Sequence, residues 1–107
     1  MKWVIGASIA ISVFSSAVAN PKIAAHAVSP ITQQHYPKLY ALWGKAGVRQ
    51  INSLMPKAAQ RAAKMPGCDK VDMVSFSSQR SVPGQRITFF VDRLNRKRFS
   101  IEGSDLP

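Results

Sequence analysis

The hydrophobic positions of this chain change period once, near Gly67. Before that point they follow a helical repeat. Tyr36, Leu39, Tyr40 and Trp43 share one helical face, with Pro37 acceptable in a first turn. Val48, Ile51, Met55, Ala58, Ala62 and Met65 then recur at alternating intervals of three and four, which predicts an amphipathic helix from Val48 to Lys64. Gly44 and Gly47 separate the two runs, so two helices are expected. Pro56 lies inside the second and lacks an N–H, which predicts a kink near residues 52–55. Pro66-Gly67 ends it.

After Gly67 the repeat becomes two. Val71 to Ser77 reads as a strand whose alternation slips once, the signature of a bulge. Pro83-Gly84 is a turn pair, because proline fixes the first central φ and glycine supplies the positive second one. Residues 86–92 place Ile87, Phe89 and Val91 on one face. Residues 98–102 do the same with Phe99 and Ile101. No helical segment separates the strands, so the sheet is expected to be an antiparallel meander. The fold expected is α+β: two helices, the second kinked at Pro56, packed on three antiparallel strands over residues 35–107. Its core would join Val48, Ile51, Met55 and Ala62 to Ile87, Phe89, Val91, Phe99 and Ile101.

The first 34 residues carry no such pattern. Lys2, the uncharged apolar stretch from Trp3 to Phe14, and Ala17-Val18-Ala19 form the three parts of a secretory signal peptide, with cleavage expected between Ala19 and Asn20. A retained anchor is the alternative, but the stretch is short for a span of ~20 residues. Residues 20–34, with Pro21 and Pro30, read as a flexible lead-in.

Charge then narrows the partners. The chain of 107 residues has 15 Lys and Arg against 5 Asp and Glu, a net charge of +10. Losing residues 1–19 removes one cation, Lys2, and leaves +9 on 88 residues. An exported protein does not meet cytoplasmic nucleic acid. The expected partners are therefore an acidic protein or an anionic envelope component, such as lipid head groups or lipopolysaccharide phosphates. From Asn20 to Cys68 there is no acidic residue. Arg49, Lys57, Arg61 and Lys64 fall opposite the apolar stripe of the second helix, as a solvated face or an anion-binding one. Arg93, Arg96, Lys97 and Arg98 crowd the last hairpin, either as a second anion site or as protection of a sheet edge.

Chemistry is sparse. Cys68 is the only cysteine, which excludes an intrachain disulfide. It is expected as a buried small residue, a free thiol or half of a Cys68-linked dimer. His26 and His35 are far from it in sequence; with Asp69 or Asp72 they are the one candidate metal set, but two scattered histidines read as polar surface. The five carboxylates read as charge balance, and no nucleotide or hydrolase motif is present. No enzyme, metal or cofactor is expected. Two readings remain: a noncatalytic anion-binding module, or an accessory component of an envelope or secretion assembly.

Cys68-Asp69-Lys70-Val71, Ser81 before Pro83, Ile87 to Asp92, Asn95 and Arg98-Phe99 together resemble a group of small exported bacterial proteins of unknown function. In that group a strand ending Phe-Val-Asp-Cys is followed by Asn and Arg-Phe. Arg93 stands where the pattern puts its second cysteine, so the resemblance implies that any disulfide at these positions is lost here. It implies no activity.

Overall fold

The computed structural model describes residues 20–106; the signal-peptide reading lies outside the described residues. The fold is α+β, with one helix packed on a three-stranded antiparallel sheet. The helix, α1, runs Pro37–Ala63; the strands are β1 (Val71–Phe76), β2 (Thr88–Arg93) and β3 (Arg98–Glu102). A short 3-10 turn, Gly103–Asp105, follows β3.

The two expected helices are one helical element interrupted at a single residue. Gly44 takes φ 73°, ψ 166°, a conformation essentially reserved for glycine. Dihedrals stay helical through Pro56, so the break expected there belongs to Gly44 instead. The physical reason is burial on either side. Met55, Ala58 and Ala59 are packed in the core while Pro56 faces solvent, so one missing backbone bond does not redirect the chain. Gly67, at φ 80°, turns the chain toward the sheet after Lys64 and Met65 bond back to Arg61 and Ala62.

Strand order is β1-β2-β3. The β1–β2 register slips between Val71 and Met73, where the alternation predicts a bulge. Phe89 pairs with Ile101 and Val91 with Phe99, which puts these four on one face. That face meets Val48, Ile51, Met55, Ala58 and Ala62. Phe89, Val91, Val48 and Ile51 have no exposed surface, and Phe99 and Ile87 close the margin half-buried. Trp43 stands edge-on to Phe76, and Phe76 to Phe89, which carries the aromatic packing from α1 across the sheet.

Within residues 20–34, expected as a flexible lead-in, residues 22–27 lie bonded along the outer edge of β1. Ile23 forms a parallel bridge with Val71, and the Val74 N–H donates to the Ala27 carbonyl at 2.9 Å. Asn52 then holds Ile31 as a second strand would. Its Oδ1 accepts from the Ile31 N–H at 2.8 Å, and its Nδ2 donates to the Ile31 carbonyl at 3.0 Å. The Tyr40 hydroxyl donates to the same carbonyl at 3.1 Å. Ala27 and Ile31 are buried as a result.

Candidate functional site

The outer face of α1 is the candidate anion-binding surface. At 3.6 residues per turn, Arg49, Lys57, Arg61 and Lys64 fall within about 120° of arc and about 22 Å along the axis. The buried residues Val48, Ile51, Met55, Ala58 and Ala62 occupy the opposite arc. All four cations are exposed. No acidic residue stands in the first turn of α1, and Arg61 Nη1 donates to the Asp105 carbonyl at 3.3 Å. The local reason is direct. A helix whose inner stripe is small and apolar must place its long side chains outward, and here most of these are basic, with Gln50 and Gln60 between them.

The hairpin cluster is divided by the fold. Arg93 follows Phe89 and Val91 on the inward side of β2 and is 8% exposed. Its guanidinium lies 3.6 Å from the centre of the Phe99 ring, and its Nη1 donates to the Gly67 carbonyl at 3.0 Å. Its Nε is buried with no hydrogen-bond partner. Arg93 therefore closes one end of the core and is removed from any surface site. Arg98 is exposed but committed. Its Nε and Nη2 donate to the two Asp92 carboxylate oxygens at 2.6 and 3.2 Å, and its guanidinium sits 4.7 Å from the centre of the Phe90 ring. The hydrogen bond to Asp92, and then that carboxylate's charge, raise the Arg98 pKa above its ordinary value.

Phe90 alternates with the inward Phe89 and Val91, so Arg98 occupies the sheet face that α1 does not cover. Arg80 lies 5.5 Å from the same ring, a contact that no local pattern announces. Arg96 and Lys97 are exposed in the β2–β3 turn, where Arg96 takes φ 69° and Asn95 Oδ1 accepts from the Lys97 N–H. A two-layer domain presents its helix and its bare sheet face in opposite directions. A flat anionic surface that meets Arg49, Lys57, Arg61 and Lys64 does not also meet Arg98.

Cys68 is buried, at 7% exposure, beneath the turn that ends α1. A thiol so placed reaches a second chain only after local opening, which counts against the Cys68-linked dimer. His26 Nε2 lies 2.9 Å from Asp72 Oδ1, and His35 Nδ1 lies 2.9 Å from the Thr32 hydroxyl. Among the described residues no group of three or more His, Cys, Asp and Glu is arranged to hold a metal ion. Among the same residues no helix is long and apolar enough to cross a membrane.

Likeness to other proteins adds nothing to this geometry: no family model, curated protein or solved structure matches the chain.

Proposed function

We propose that this chain is an exported, noncatalytic binding module that engages an acidic protein or an envelope polyanion through the outer face of α1. The observation that carries the reading is the basic arc of α1, which contains no acidic residue of its own, with Asp105 at its edge beside Arg61. Arg49, Lys57, Arg61 and Lys64 project from one exposed arc, in a 49-residue stretch without an acidic side chain. An ordinary solvated helix mixes its charges, because opposite pairs one turn apart help and like pairs cost. Export is supported by Lys2, the apolar stretch from Trp3 to Phe14 and Ala17-Val18-Ala19. It selects partners outside the cytoplasm.

Each cation held near an anionic surface contributes about 1 kcal/mol, so four on one face give weak, salt-sensitive binding. The test is binding of the purified protein to anionic vesicles and to lipopolysaccharide at low and high salt, beside a variant carrying Arg61→Gln and Lys64→Gln. The wild type should bind at low salt and release at high salt, and the variant should bind several-fold more weakly. A wild type that binds nothing anionic at low salt ends this reading in favour of an assembly component.

A further inference from the structure

Away from the cationic face, a cleft of about 860 Å³ opens between the first turns of α1 and β1. Its walls are Tyr36, Leu39 and Leu42 on one side and Met73, Val74 and Phe76 on the other. Five large hydrophobic side chains are exposed among the described residues, and three of them line this cleft: Tyr36 at 54%, Leu42 at 68% and Met73 at 49%. Leaving such side chains in water is unfavourable, and their convergence on one concavity marks a ligand site rather than scattered surface. The volume falls within the ~300–1,000 Å³ usual for small-molecule sites.

The rim is basic. Lys38, His35 and His26 border the cleft, and no acidic residue lines it. His26 is already bonded to Asp72, and His35 to Thr32. Lys38 is left as the cation that faces a ligand's head. We infer that this cleft binds a single-chain anionic amphiphile, with its acyl chain between α1 and β1 and its carboxylate at Lys38.

A peptide added as an extra strand fits less well. Part of the outward edge of β1 is already taken: Val71 N–H by Lys22 O at 2.7 Å, Val71 O by Ala24 N–H at 2.9 Å, and Val74 N–H by Ala27 O at 2.9 Å. Strand addition needs those groups free. An acyl chain needs none of them.

The experiment is calorimetric titration of the purified protein in its exported form, beginning at Asn20, with laurate below its micelle range, and with neutral monolaurin as the headgroup control. Wild type should bind laurate. Leu42→Glu should weaken both ligands at least about tenfold by placing a charge in the acyl path. Met73→Glu tests the opposite wall and should act the same way. Both positions are exposed enough that circular dichroism should remain that of wild type. Lys38→Gln should weaken laurate about fivefold and leave monolaurin unchanged.

Failure of the wild type to take up laurate overturns the inference, as does wild-type affinity in both glutamate variants. An extended acidic peptide that binds wild type but not Leu42→Glu, with laurate silent, replaces the amphiphile with a peptide. Vesicle binding that persists without laurate uptake overturns this inference alone and leaves the cationic-face reading standing.

Discussion

Two runs of four basic residues look alike in the sequence, and folding gives them different work. Arg49, Lys57, Arg61 and Lys64 all reach solvent on one side of α1, because the helical repeat assigns the opposite side to alanine, valine, isoleucine and methionine. Arg93, Arg96, Lys97 and Arg98 straddle the end of a strand, where neighbours point in opposite directions. One is drawn into the core, one is paired across the bare sheet face, and two occupy the turn. A helix can gather like charges into one surface over four turns, whereas a hairpin distributes them. Local charge density is therefore a poor guide to a site until the period beneath it is known.

That difference can be broken at several levels. Phe89 and Arg93 share the inward side of β2, so Phe89→Ala sets the scale for losing an inward side chain. It should cost ~3–5 kcal/mol, enough to bring a small domain close to unfolding, as read by thermal or urea denaturation. Arg93→Ala should cost about 2 kcal/mol. It loses a charge-assisted hydrogen bond and the stacking on Phe99, offset by release of the unpartnered Nε. Arg93→Met, which keeps the cover over Phe99 and carries no orphaned donor, should lose less. A surface arginine would show neither cost, so an Arg93→Ala protein as stable as wild type would return this residue to the solvent.

Smaller effects sharpen the contrast. Arg96 holds φ 69° without being glycine, a conformation that costs ~1–2 kcal/mol. Arg96→Gly removes that strain at an entropic cost of ~0.5–1 kcal/mol, so denaturation should show a net gain of about 0.5 kcal/mol. At the bottom of the scale, Arg61→Gln with Lys64→Gln should leave stability within about ±0.5 kcal/mol while weakening anion binding. Stability and binding would then separate cleanly: the inward hairpin arginine controls the first and the helix cations the second.

What the sequence disclosed, and what it withheld, follows the same physics. The strands, their antiparallel order, the β1 bulge and the joining of Val48, Ile51 and Met55 to Phe89, Val91 and Ile101 were legible, because each rests on a period set by local geometry. Gly44 was visible as punctuation, but whether it ends one helix or bends a longer one depends on packing at Trp43 and Phe76. Pro56 misled because a missing N–H redirects a helix only when neighbouring burial permits it.

The role of Asn52 left no trace in any local pattern, since its partner Ile31 lies 21 residues upstream. The four helix cations could be assigned to one face from spacing alone. The inward turn of Arg93 could not, since alternation names the face but charge argues against burial. The cleft was invisible for a related reason. It lies between a helix and a strand that are distant in sequence, and Tyr36, Leu39, Met73, Val74 and Phe76 read only as positions in a helical or strand repeat.

The bridge between Ile23 and Val71 also bears on the timing of folding. The two residues stand 48 positions apart, and all of α1 lies between them. A parallel pairing of this kind cannot form by zipping from a tight turn; the helix must first carry the chain back across the sheet. Closing so long a loop is entropically costly, which places this contact among the slower ones to form. Until it forms, the outer rim of β1 is an open template to which another copy can add. The N-terminal segment is thus a guard that arrives late, and the interval before its docking is when this small domain is most exposed to misassembly.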